Sequence, residues 1–122
     1  MDKHKDCITI KDISIYSYHG LLPEERQRGQ EFLVSLVMEV DLAGVAASDD
    51  ITYTVNYAEV VNKLQEIFTS NTYNLIETLA EKIAGELLNF TRIKGIEVSV
   101  EKPRPPLTAT TGGVAVTIYR SR

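Results

Sequence analysis

Between Glu31 and Asp41 every even position is apolar (Phe32, Val34, Leu36, Met38 and Val40), while Glu31, Ser35, Glu39 and Asp41 occupy odd positions. A period of two places alternate side chains on opposite faces, so this segment reads as a half-buried strand. Further along, the period changes. Tyr57, Val60, Val61, Leu64 and Phe68 fall at i, i+3, i+4, i+7 and i+11, which predicts an amphipathic helix from Tyr57 to Ser70. Leu75, Leu79, Ile83 and Leu87, widened by Ile76, Ala80, Ala84 and Leu88, predict a second helix from Leu75 to Phe90, with Asn74 as its N-cap. Period two then returns at Ile96, Val98 and Val100, and again at Val114, Val116 and Ile118 beyond the Pro103–Pro106 loop and Gly112–Gly113.

The segment from Cys7 to Tyr18 also reads as a strand, with Ile8 and Ile10 on one parity and Ile13 and Ile15 on the other. That switch predicts a bulge at Lys11–Asp12. His19 to Gln30, with Gly20, Pro23 and Gly29 around a charged patch, suits a loop with one helical turn. The expected order is ββααββ, an α+β domain with two helices packed on one face of a four-stranded antiparallel sheet. A chain of 122 residues closes one hydrophobic core, so residues 1–122 are expected to form a single domain.

A net charge of −4 argues against a surface built for nucleic acid or anionic lipid, which need clustered Lys and Arg. No apolar run approaches the ~20 residues of a membrane span, and the start, MDKHKD, lacks the apolar stretch of a signal peptide. A cytoplasmic location is expected. Cys7 is the single cysteine, so no intrachain disulfide or thiol pair forms. With His4 and His19 as the two histidines, no HxH or HExxH arrangement is available to hold a catalytic metal. The expected partner is a small molecule or further copies of the chain.

Each residue that could carry chemistry also has an ordinary explanation. Glu25 could be a solvated loop carboxylate. Tyr57 could anchor a core with its hydroxyl at the surface. Glu77, three residues after Asn74, could be the carboxylate of a capping box. Lys102 shares parity with Ile96, Val98 and Val100, so its side chain leaves from the apolar face and could snorkel to solvent. His19 suits a structural role, holding its turn through bonds to backbone.

Four segments decide between these readings. Tyr18-His19-Gly20 followed by Glu25 and Gly29-Gln30, then Thr54-Val55-Asn56-Tyr57, then Asn74-Leu75-Ile76-Glu77-Thr78-Leu79-Ala80-Glu81, and finally Val98-Ser99-Val100-Glu101-Lys102-Pro103 stand in one order along nearly the whole chain. Together they resemble the signatures of the dihydroneopterin aldolases; Tyr53 departs by standing where that family often has an acidic residue. The resemblance implies the tunnelling fold and a retro-aldol cleavage of 7,8-dihydroneopterin in folate biosynthesis, with no cofactor and no metal. It implies Lys102, Glu25 and Tyr57 as catalytic residues, and Glu25, Tyr57, Ile76 and Glu77 as substrate contacts. It also implies a homo-oligomer, a tetrameric ring stacked into an octamer. Two alternatives stay open beside it, a dihydroneopterin triphosphate 2′-epimerase and a non-catalytic pterin-binding module. A zinc-dependent relative of the same fold would need a His or His/Cys ligand set.

Overall fold

The computed structural model describes residues 5–122; His4 lies outside them. Four strands, β1 (Cys7–Ser17), β2 (Gln30–Glu39), β3 (Gly95–Lys102) and β4 (Val114–Ser121), form one antiparallel sheet in the order β1-β2-β3-β4. Two long helices, α3 (Tyr57–Ser70) and α4 (Ile76–Leu87), separate the first pair of strands from the second.

The expected order ββααββ is corrected in two places. A six-residue helix, α1 (Pro23–Arg28), lies between β1 and β2, and another, α2 (Ala43–Ser48), precedes a 3-10 turn at Ile51–Tyr53 before α3. Both are too short to show an amphipathic period, so only local signals could announce them. In α1 that signal is Pro23 at the first turn, where a missing N–H costs nothing.

Phe32, Val34, Leu36 and Met38 of β2 are fully buried, and β3 sets Val100, Val98 and Ile96 opposite Val34, Leu36 and Met38. In β1 the register shifts between Ile10 and Ile13, where Asp12 takes φ 51° and donates its N–H to Ser35 Oγ at 3.0 Å. The bulge restores parity. Ile8, Ile10, Ile13 and Ile15 therefore all face the core, opposite Met38, Leu36, Val34 and Phe32.

The same core takes in Val60, Leu64, Ile67 and Phe68 of α3 and Ile76, Leu79, Ala80, Ile83, Ala84 and Leu87 of α4. Truncating one of the large side chains here to alanine costs ~2–5 kcal/mol, because the packed surroundings collapse only partly into the void. Three members of the sequence stripes stay outside it: Tyr57 and Leu75 are exposed and Val61 is half-buried. Asn56 caps α3 by accepting the Ala58 N–H at 3.0 Å. At the same end of the helix pair, Arg122 donates to the carbonyls of Leu88, Phe90 and Ile93, tying the last strand to the end of α4.

Candidate active site

Glu25 sits on α1 with 6% of its surface exposed, and three donors converge on its carboxylate. Oε1 accepts the Leu22 N–H at 3.2 Å, while Oε2 accepts Gln30 Nε2 and Lys102 Nζ, each at 2.8 Å. Burial works to raise the Glu25 pKa, but the bonds from Lys102, Gln30 and Leu22 outweigh it, and the carboxyl is held below the ordinary glutamate value. The close approach requires Gly20: a Cβ there would lie 2.5 Å from the Glu25 carboxyl carbon. The solvated-loop reading of Glu25 is thus replaced by that of a buried, charge-paired group.

Lys102 reaches this pair from the last position of β3, with 14% of its side chain exposed. Its parity sends the side chain out on the apolar face, as the strand pattern requires, and it ends on a carboxylate rather than in solvent.

His19 organises the turn that carries Glu25. Its ring is 1% exposed and packed edge-on against Phe32 and Phe68. Nδ1 accepts the Tyr73 N–H at 3.0 Å, and Gly20 N–H donates to the Tyr73 carbonyl at 2.9 Å, so the β1–α1 turn is laced to the α3–α4 connection. Burial lowers the His19 pKa to about 4, against an opposing pull from the Phe68 backbone; the Lys102 charge lowers it further. The ring is neutral at pH 7, and its accepting Nδ1 assigns the proton to Nε2, which has no partner among the described residues.

Glu77 and Ile76 line a cavity of about 270 Å³ together with Lys102, Leu21, Leu75 and Pro105. Its walls are mostly apolar, with the Glu77 carboxylate and Lys102 as the charged groups among its lining residues, the composition of a site for a flat, partly polar molecule. The Glu77 side chain is exposed and forms no ion pair or hydrogen bond with any described residue.

The capping expectation is corrected here. Leu75, not Asn74, is the N-cap of α4 and makes no side-chain cap bond, while Asn74 Oδ1 accepts from Arg26 Nη2. With Glu77 only two residues past the cap, no capping box forms, and the first N–H groups of α4 keep no intrahelical partner.

Tyr57 is not brought to this cavity. It stands 63% exposed at the start of α3, whose 14 residues span ~21 Å. That end of α3 neighbours Phe90, Thr91 and Arg92 beyond the end of α4, whereas Glu77 opens α4. Within one chain, Tyr57 and Glu77 therefore lie at opposite ends of the helix pair. Nearby, Tyr53 carries the Arg92 guanidinium 5.7 Å from its ring centroid.

Two contributors escaped sequence reasoning. Gln30 holds Glu25 from the first position of β2, and the Gly29-Gln30 pair was the available signal. Arg26 links two turns and left no sequence signal. Among the described residues, no group of three or more His, Cys, Asp or Glu is placed to hold a metal ion, and no helix is long and apolar enough to cross a membrane.

Comparison with known proteins identifies the family. The family model described as dihydroneopterin aldolase matches residues 8–119. A dihydroneopterin aldolase of Streptomyces coelicolor is 38% identical over 117 residues, 96% of this chain and 98% of the relative. One from Methylorubrum extorquens is 40% identical over 118 residues, covering 96% of this chain and 91% of the relative. Among solved structures, a dihydroneopterin aldolase of Vibrio cholerae superposes with a TM-score of 0.89 at 25% identity, covering 97% of this chain and 98% of that one.

Proposed function

Since the chain belongs to the dihydroneopterin aldolase family, we propose that it splits 7,8-dihydroneopterin into 6-hydroxymethyl-7,8-dihydropterin and glycolaldehyde. The observation that carries this reading is the Glu25–Lys102 pair at 2.8 Å beside a cavity that also exposes the unpaired carboxylate of Glu77.

The cleavage breaks the bond between the first two side-chain carbons of the pterin. The hydroxyl proton on the departing carbon must leave, and the bonding electrons must be received. The N5=C6 imine of the dihydropterin receives them, so neither a Schiff base nor a metal is needed as electron sink. Lys102 moves the proton through a water, and Glu25 orients that lysine and the side-chain hydroxyls. Glu77 accepts the 2-amino and ring N–H donors in parallel, a bidentate charge-assisted pair, with the backbone at Ile76 adding a further bond.

Tyr57 protonates the enol-like intermediate from a neighbouring subunit. Its exposure and its place at the far end of α3 support that assignment. The strand order leaves β1 and β4 as edges, and pairing those edges between chains closes a ring without open strand ends. Leu33 and Val37 leave half-buried apolar surface on the face of β2 away from the helices. A tetrameric ring of the tunnelling fold, stacked into an octamer, satisfies both features. The protein then acts as a cytoplasmic enzyme of folate biosynthesis.

The relatives carry the aldolase name, which favours cleavage over epimerisation, and the Glu25–Lys102 pair argues against a binding module without chemistry. Incubating purified protein with 7,8-dihydroneopterin and resolving all pterins tests the reading. Accumulation of 6-hydroxymethyl-7,8-dihydropterin is expected; unconsumed substrate, or the 2′-epimer as sole product, overturns it.

A further inference from the structure

We propose that Arg26 is a positioning residue that fixes the spacing between the pterin anchor on α4 and the proton-transfer pair on α1 and β3. The proposal rests on the site reading above, because it assigns a consequence for pterin binding to a residue outside the cavity. Arg26 immediately follows Glu25 in α1, and its guanidinium spans two turns. Nε donates to the Gly20 carbonyl at 2.9 Å, on the turn whose tight packing against Glu25 demands a glycine. Nη2 donates to Asn74 Oδ1, two residues before Ile76.

The contact with Asn74 does more than join two loops. An asparagine beside a helix start ordinarily turns its side-chain oxygen onto the first free N–H groups. Here that oxygen is committed to Arg26, Leu75 makes no side-chain cap, and the first α4 backbone bond is Leu79 N–H to Leu75 at 3.2 Å. The N–H groups of Ile76 and Glu77, two residues that line the cavity, consequently keep no intrahelical or side-chain cap partner. Arg26 thus keeps the anchor end of α4 uncapped and ties it to the Glu25 turn. Displacing a bound reactant by ~1 Å can cost ~100-fold in rate, so the tie matters to function. The planar fork of arginine suits two acceptors held at fixed positions, which the single ammonium of lysine does not match.

The test compares Arg26→Ala, Arg26→Lys, Asn74→Ala and the double Arg26→Ala/Asn74→Ala. Three readouts are taken: kcat and KM for 7,8-dihydroneopterin, affinity for neopterin, and amide exchange at Ile76 and Glu77. Arg26→Ala is expected to weaken neopterin binding and raise KM by roughly tenfold, a loss in the range of one charge-assisted contact. Because Asn74 is freed to cap the helix, exchange at Ile76 or Glu77 is expected to slow in that variant and to quicken again in the double. Arg26→Lys is expected to recover only part of the loss, and the double to bind no worse than the worse single. Wild-type affinity and exchange in Arg26→Ala, or losses that simply add in the double, overturn the proposal. Absence of turnover in the wild type defeats the aldolase reading instead, and the amide exchange still decides whether Arg26 controls the start of α4. If Arg26→Ala does not fold, Asn74→Ala tests the same contact from its other side: unchanged affinity there also overturns it.

Discussion

Glu25 and Lys102, separated by 77 positions in sequence, meet at 2.8 Å where the first turn of α1 abuts the last residue of β3. The pair is almost fully withdrawn from solvent, so each partner determines what the other can do. Lys102→Ala is expected to lower kcat by ~100–10,000-fold, the usual range for a proton-transfer group, with a much smaller change in neopterin affinity. Equal losses in turnover and affinity would make Lys102 an electrostatic contact only.

Glu77 separates two physical roles that sequence could not. Glu77→Ala is expected to weaken neopterin binding by about 10–100-fold, the loss of a charge-assisted acceptor worth ~1.5–3 kcal/mol. Because the carboxylate makes no ion pair or hydrogen bond with any described residue, the melting temperature of that variant should stay near wild type. A stability loss with unchanged affinity would return Glu77 to a capping role.

Acid stability follows from His19. Its folded-state pKa of about 4 lies below the unfolded value near 6.5, so the unfolded chain binds a proton that the folded chain does not. Stability is full above about pH 6.5, falls as pH drops toward 4, and the total loss is on the order of 3 kcal/mol. Glu25 adds an acid loss only at lower pH, since its pKa is lowered in the fold and its contribution disappears as it protonates. Urea unfolding of wild type and His19→Asn at pH 7 and pH 5 checks this. The wild type should lose stability across that interval, and the variant should lose clearly less; parallel curves would contradict the assignment.

What could be read in the sequence follows a physical boundary. The long elements announce themselves, because Phe32 to Val40 and Val60 to Phe68 alternate with the period of the structure that buries them. The bulge was readable too, as the only way to keep Ile8, Ile10, Ile13 and Ile15 on one face. Helix α1 was legible only as the single turn expected around Pro23, since six residues show no period to set its bounds. Asn74 misled for a related reason: its side chain serves Arg26, a residue 48 positions away, and local pattern carries no information about such a partner. Glu25 and Lys102 were identified by resemblance, and only the folded chain shows them as one ion pair.

Tyr57→Phe is expected to bind neopterin normally yet to uncouple cleavage from reprotonation, so that consumed substrate appears partly as oxidised by-products. Normal yields of 6-hydroxymethyl-7,8-dihydropterin at the normal rate would remove Tyr57 from the mechanism.

The most direct test of the whole account mixes two defective chains. Tyr57→Phe subunits retain Lys102, and Lys102→Ala subunits retain Tyr57; if each site draws one residue from each of two neighbours, equal mixing rebuilds roughly a quarter of the sites in a closed ring. Co-refolded mixtures should then form 6-hydroxymethyl-7,8-dihydropterin at a rate well above either variant alone, reaching about that fraction of wild type. Mixed oligomers that contain both chains and regain no product formation would contradict the account, as would a fully active monomer in ultracentrifugation at assay concentration.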